Sequence, residues 1–371
     1  MRVDKMVPEI RFRKSSGKWI QENISNVAPL QRGFDLPKSE MNAGVYPVVM
    51  SNGVNGFHNA FQAKAPGVVT GRSGTIGNIH YIDVDYWPHN TSLWVTNFYK
   101  NVPLFIYYLY IKLDIKKFGT GSGVPTLNRN DVHDQLVAFP KDEKEQTAIG
   151  NYFQKLDSLI NQHQQKHDKL SNIKKAMLEK MFPKQGETIP EIRFKGFSDE
   201  WKETVLSEIV NKYDNLRIAV TTKDRIAGII PYYGANGIQD YVEGYTHDGE
   251  YILLAEDGAN DLKHYPIHYV NGKVWVNNHA HVLKAKEDNS NIFLKYALNN
   301  VDFEPFLVGG GRAKLNAGVM MNLELIISTD TEEQLAIGNY FQKLDALINQ
   351  HQQQITKLNN IKQACLSKMF V

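Results

Sequence analysis

Residues able to do bond-making chemistry are sparse in this chain, and their spacing narrows what they can do. The run "HAH" sets His279 and His281 two apart, which on a strand puts both imidazoles on one face, half of a zinc site. No third ligand is evident beside them, so the expectation is no metal. The single cysteine, Cys365, excludes an internal disulfide and any multi-cysteine metal site, and it suits a reducing cytoplasm. In "PEIRFKGFSDEWK", Glu191, Glu200 and Lys202 loosely mimic a metal-dependent nuclease. A parallel run near the N-terminus has Lys18 and Ile20 at the last two of those places, which makes the mimicry coincidental. "GTGSG" at Gly119 precedes "VPTLN", not the lysine and helix of a phosphate loop. No catalytic residue is expected.

The elements that must position any site are set by a repeat. "AIGNYFQKLDSLINQHQQ" at Ala148 returns at Ala336 as "AIGNYFQKLDALINQHQQ", 188 positions later. Extended to Gln146–Phe182 and Gln334–Phe370, the two copies share 28 of 37 residues. A second pair leads each half: "PEIRFRKSSGKW" from Pro8 and "PEIRFKGFSDEW" from Pro190. The long segment holds no Pro, and its only Gly lies near its start. Its apolar residues alternate gaps of four and three: Ile149, Phe153, Leu156, Ile160, then Leu170 and Met177. The second copy runs Ile337, Phe341, Leu344, Ile348, Ile355 and Leu358. Each is a rod of about 57 Å with an apolar seam that two antiparallel copies can bury on each other. "NQHQQ" at each centre, with His163 and His351, reads as a polar layer that fixes register. The whole would be a dumbbell, two globular ends on a two-helix coil.

Between these frames lie two bodies that hardly match in sequence. Both order their pieces alike: a Tyr/Pro hairpin, a Gly loop, a strand, an apolar helix, then a Gly-rich turn ending in Leu-Asn. Residues 1–140 carry 15 Lys and Arg against 10 Asp and Glu, while residues 184–330 carry 15 against 21. No basic tail dominates, so a phosphate-binding surface must be a local patch. No apolar run reaches the length of a membrane span.

The repeated "EQ…AIGNYFQKLDSLI" helix after each variable body, with "GRSGTIG", "AEDGA", "WVNNHAHVL" and "KLN" inside the bodies, resembles the specificity subunit of type I restriction-modification systems. The resemblance covers essentially the whole chain. It implies an α/β (α+β) fold: two target-recognition domains, 1–142 and 184–330, separated by two long antiparallel coiled-coil helices, 143–183 and 331–371, with pseudo-twofold symmetry. It implies double-stranded DNA as ligand, two methyltransferase subunits and the restriction/translocase subunits as partners, and no membrane. S-adenosylmethionine, ATP and Mg2+ would belong to those other subunits, with no cofactor in this chain. An adenine methyltransferase needs an Asn/Asp-Pro-Pro-aromatic motif, and no Pro-Pro occurs here.

Affinity for a duplex comes from cations on phosphates, and specificity from side chains at base edges. Gly admits close backbone approach, while Asn and Arg pair bidentately with adenine and guanine. The candidates are Arg72, Ser73, Thr75, Asn78, Asn128 and Arg129 in the first body. In the second they are Asn236, Asn260, Asn278, His279, Arg312, Lys314 and Asn316. Each of these types is also at home as a turn residue or cap. The competing reading is a coiled-coil adaptor whose two modules bind protein or glycan ligands.

Overall fold

Asp142 and Asp330 start the two long helices of the computed structural model, which describes residues 6–121, 123–184, 186–310 and 312–371. Asp142 Oδ1 accepts from Lys144 N at 2.9 Å. Asp330 Oδ1 accepts from Glu332 N and Glu333 N at 2.8 and 3.2 Å. Such caps satisfy amides that have no intrahelical partner. The helices are Glu143–Lys180 and Thr331–Met369, each with two glutamates in the first turn where the helix dipole favours them. The chain folds as two compact units, residues 1–164 with 353–371, and residues 165–352. Each long helix is thus shared, its first part in one unit and its last part in the other.

The leading motif finds its purpose at the helix start. Glu145 is buried and takes Arg11 through two bonds of 2.7 Å, with Trp19 Nε1 donating at 3.3 Å. In the second unit Arg193 and Trp201 clasp buried Glu333 in the same way, Trp201 Nε1 at 3.0 Å. The next residue is a second fastener. Gln146 accepts from Val102 N and donates to Asn101 Oδ1 and Pro140 O. Gln334 does the same with Ser290 N, Asn289 Oδ1 and Ser328 O. Each "EQ" therefore pins its helix to the body beside it, and the side-chain polar atoms of the Glu and the Gln are all matched, as burial demands, while Arg193 Nη1 of the second clasp is buried without a partner.

The single glycine of each rod marks a helix crossing. In the first unit Pro103–Leu113 passes over Gly150, where a Cβ would stand 3.1 Å from Leu104 and 3.2 Å from Phe105 N. In the second, Asn291–Asn299 passes over Gly338, where a Cβ would stand 2.2 Å from Ile292 Cγ2 and 3.0 Å from Phe293 N. Glycine gives that approach without displacing its neighbours, whereas a Cβ would require Leu104 to give slightly and Ile292 to move. One heptad further on, Tyr108 donates to Asp157 at 2.8 Å, and Tyr296 to Asp345 at 2.7 Å.

The seam divides its loyalties. Ile149, Phe153 and Leu156 are buried in the first body's core, together with Leu366, Met369 and Phe370 of the last helix. Ile337, Phe341 and Leu344 are buried in the second core with Met181 and Phe182; Leu170 and Met177 pack against it half-buried. Ile355 is buried, whereas Ile160, Ile348 and Leu358 are half-buried. The expectation that the rods bury the seam on each other is therefore corrected in part. The body helices supply part of the cover, because the Gly crossings bring them onto the same stripe. Within each unit the helix segments run antiparallel. Phe153 faces Phe370 at 5.9 Å between ring centres, and one turn on, Asp157 meets Lys362. In the second unit Phe341 faces Phe182 at 6.2 Å, and Asp345 meets Lys174.

Each body is a twisted, largely antiparallel sheet. The second has six strands in the order Val210–Lys212, Ala280–Ala285, His247–Ala255, Ile267–Val276, Ala227–Gly234, Gly237–Val242. The first repeats this order but splits it into four strands and three. The continuous strand Ile267–Val276 corresponds to Ile79–Ile82 and Trp87–Pro88, between which Tyr86 bridges to Ala63. The motif "IHY" sits at the same place in both, from Ile79 and Ile267. Among the described residues, no helix is long and apolar enough to cross a membrane.

Candidate nucleic-acid interface

Two loops meet at one end of each sheet, held by the same backbone bonds in both bodies. In the first, the loop after strand Gly67–Gly71 is sewn to the segment before the short helix Arg129–His133. Leu127 N donates to Arg72 O at 2.7 Å, and Gly74 N to Pro125 O at 3.0 Å, with a bridge between Ser73 and Thr126. In the second, Leu315 N donates to Glu256 O at 2.7 Å and Gly258 N to Ala313 O at 3.2 Å, with a bridge between Asp257 and Lys314. Arg72 and Ser73 therefore stand where Glu256 and Asp257 stand in the other body. Gly71 is forced to be glycine, since a Cβ there would lie 1.7 Å from Thr75 O.

In the first body the structure brings Arg72, Ser73 and the 126–129 segment together. Arg72 and Ser73 are half-buried; Thr75, Asn78, Asn128 and Arg129 are exposed. Asn128 spends its acceptor on a cap, taking Asn130 N at 3.1 Å, which leaves its amide to face solvent. Asn78 lies at the far end of the loop, next to strand Ile79–Ile82.

In the second body most of the candidates converge. Asn236, in the hairpin turn, donates to Gly258 O and accepts from Asn260 N, both at 2.9 Å. His279 Nδ1 lies 2.6 Å from Asp257 Oδ1, and the same oxygen accepts from Arg312 Nη2 at 2.9 Å. Lys314 pairs with Glu256 at 3.0 Å. Asn278 is exposed on the turn between strands, which buried Asn277 holds by accepting from His279 N. Asn316 is exposed and precedes the helix Ala317–Met321 without a side-chain cap bond.

Below this rim lies a charge cluster. Asp214 Oδ2 meets His281 Nδ1 at 2.8 Å, and His281 Nε2 meets Leu315 O at 3.0 Å. Arg217 reaches Glu256 at 2.6 Å and Asp214 at 3.5 Å. Burial works against the charged form of Asp214, but His281, Val282 N and Arg217 outweigh it and hold the carboxyl below its usual range. Glu256 is likewise held down against burial by Arg217 and Lys314. Asp214, Glu256 and His281 have ligand atoms within 4.8 Å of one another, yet cations of this chain already occupy both carboxylates. His279 and His281 do not act as a pair, since each has its own carboxylate.

No pattern in the sequence singles out Asp257, Glu256, Asp214 or Arg217. "AEDGA" was visible, but nothing in a single sequence links Asp257 to Arg312, fifty-five residues away. Two features of the second body bear on its acidity: Arg312 and Lys314 are each tied to an acid, so they are not free countercharges for phosphate. Tyr232 behaves as core, buried and stacked on half-buried Trp275 at 6.4 Å.

Two α/β bodies that carry different side chains on one shared loop frame, each fastened to a long helix, define a tandem recognition module. Residues 17–172 and 198–360 both match the family model of the type I restriction modification DNA specificity domain, and the chain belongs to that family. It is 46% identical over 144 residues to a candidate type I restriction enzyme specificity subunit of Haemophilus influenzae, S.HindORF215P, covering 39% of this chain and 37% of that one. It is 24% identical over 177 residues to the EcoprrI specificity subunit of Escherichia coli, covering 47% of this chain and 42% of that one. The chain thus matches less than half the length of either curated relative. The crystal structure of a type I restriction-modification S subunit from M. genitalium has the same fold, with a TM-score of 0.78, 16% identity and 99% of both chains covered.

Proposed function

We propose that this chain is the non-catalytic reader of a type I restriction-modification complex, with residues 1–142 and 184–330 each recognising one half of a bipartite DNA site. The observation that carries the reading is the loop frame. The same backbone bonds present Arg72 and Ser73 in one body and Glu256 and Asp257 in the other. A constant frame with exchanged donors and acceptors is what two different half-sites require, because each base pair offers its own donor–acceptor pattern in the major groove. The candidate contacts are those named above, with Arg129 and Lys and Arg side chains of the first body supplying phosphate contacts. The long helices would dock two methyltransferase subunits, and the restriction/translocase subunits would join that assembly. S-adenosylmethionine, ATP and Mg2+ act in those subunits, and the work is done in the cytoplasm.

The test is a duplex titration across salt concentrations. Binding should weaken linearly in log–log terms as salt rises, because phosphate contacts release counterions. Arg72→Ala and Arg129→Ala should each flatten that slope or lower affinity. A chain, with or without its methyltransferase partner, that ignores duplex DNA but captures a protein or glycan supports the adaptor reading instead.

A further inference from the structure

The two units carry matched Tyr–Asp–Lys sets whose charges do not match. In the first, Asp157 takes Tyr108 and Lys362, one carboxylate for one ammonium. In the second, Asp345 takes Tyr296 and Lys174 in the same way, and Lys295 as well at 3.2 Å. Lys295 stands where the first unit has Tyr107, and its Nζ lies 3.8 Å from the centre of the Tyr296 ring. The second set has thus gained a cation without gaining an acid.

The exchange also changes the space. Tyr107 bridges two rings, Tyr81 at 5.8 Å and Tyr108 at 4.7 Å. A lysine stem cannot span both, and beside Lys295 lies a cavity of about 380 Å³. That is the size of a small-molecule site, for which roughly 300–1,000 Å³ is usual. Tyr233 and Tyr269 offer it rings, Gln342 and Asn349 offer amides, and Asp345 is the only acid among its described wall residues. The Lys295 side chain is 11% exposed, and a charge so covered is costly without a counter-ion of its own. Burial lowers its pKa to about 8, against the pull of Asp345. His268, on the same wall, supplies no countercharge, because burial and the Lys295 charge keep it neutral.

We propose that this cavity of the second unit binds a small organic anion, its carboxylate or phosphate on Lys295 and its flat body against Tyr233 and Tyr269. The site lies apart from the recognition loops, and the proposal does not rest on the DNA reading.

The test is isothermal titration calorimetry of the full chain with benzoate, phenyl phosphate, acetate, inorganic phosphate and benzamide. No duplex is present, so failure of the DNA reading leaves the outcome intact. Benzoate or phenyl phosphate should bind one per chain, about tenfold or more tighter than acetate or inorganic phosphate, because the ring is buried as well. The tighter of the two tells carboxylate from phosphate. Uncharged benzamide should not bind. Lys295→Met and Lys295→Tyr, the second copying the first unit, should each weaken binding about tenfold or more, and Lys295→Arg should keep it. Binding of neither aromatic anion, or equal binding of benzamide, overturns the proposal. Unchanged affinity in both Lys295→Met and Lys295→Tyr does so too, since it marks an adventitious additive only. Displacement of the bound anion by an added duplex would assign the cavity to a backbone phosphate, which also overturns it.

The wild-type chain gives a readout that needs no variant. The groups facing Lys295 are Asp345, Lys174, His268 and the tyrosines. Asp345 is held ionised by its lysines against burial, His268 stays neutral, and burial pushes Tyr233, Tyr269 and Tyr296 up. An anion that needs the Lys295 ammonium must draw in a proton once the pH passes about 8, so its affinity should fall about tenfold between roughly pH 8.5 and 9.5. An ordinary surface lysine stays charged across that range. Affinity that holds to about pH 9.5 overturns the proposal even if every variant unfolds.

Discussion

Asp257 holds two donors with one oxygen, His279 and Arg312, at the rim of the second body. A guanidinium pinned in this way meets a base edge in one orientation, so its selectivity depends on the carboxylate behind it. Asp257→Ala should therefore reduce discrimination in the second half-site by about 1–3 kcal/mol per contacted pair and leave the first half-site unchanged. Competition titrations with single-base duplex variants check it; equal loss in both halves contradicts it. Lys295 supplies a second test at this scale. Burial lowers its pKa to about 8 from 10.5; Asp345 opposes that shift and Lys174 adds to it. Between those values the unfolded chain keeps a proton that the folded chain has lost, so this group makes stability rise with pH across that window, and its full cost is felt below it. Lys295→Met should remove that rise, roughly 2–3 kcal/mol, from denaturant midpoints measured between pH 7.5 and 10.5. An unchanged pH slope contradicts the assignment. Residue types on the loops were legible in sequence, since Gly, Asn and Arg cluster there. Their partners were not, because Asp257 and Arg312, or Asp214 and His281, meet only through the sheet.

The long helices were the most legible elements, because a four-three stripe repeated twice admits few other readings. Their starts were less so. The caps at Asp142 and Asp330 lie outside the most alike segment, and the leading "PEIRF…W" motif had no role until Arg11 and Trp19 met Glu145. The sheet order was legible only as a sequence of pieces, since strand neighbours are set by long-range pairing. Gly338 marks the point where local pattern and packing meet. Its lack of a side chain lets Asn291–Asn299 cross the rod, and an added methyl would strike Ile292 and the backbone of Phe293. Alanine favours a helix by about 1 kcal/mol over glycine. Here overpacking should reverse the sign, and Gly338→Ala should cost about 1–3 kcal/mol. Thermal unfolding measures it, and a stabilised variant would mean that the crossing is looser than the contacts imply.

At the scale of the whole molecule, two copies of one frame carry two unlike bodies, and the proposed function requires that they act independently. Each body has its own core, its own Glu–Arg–Trp clasp and its own Gln fastener. Among the described residues, the backbone bonds of each loop pair draw on residues of the same body alone. The most direct measurement replaces residues 20–140 with the matching body of a relative and maps methylated sites across a host genome by single-molecule sequencing. The account predicts that one half of the recognised sequence changes and the other half stays as it was. A change in both halves, or in neither, contradicts it.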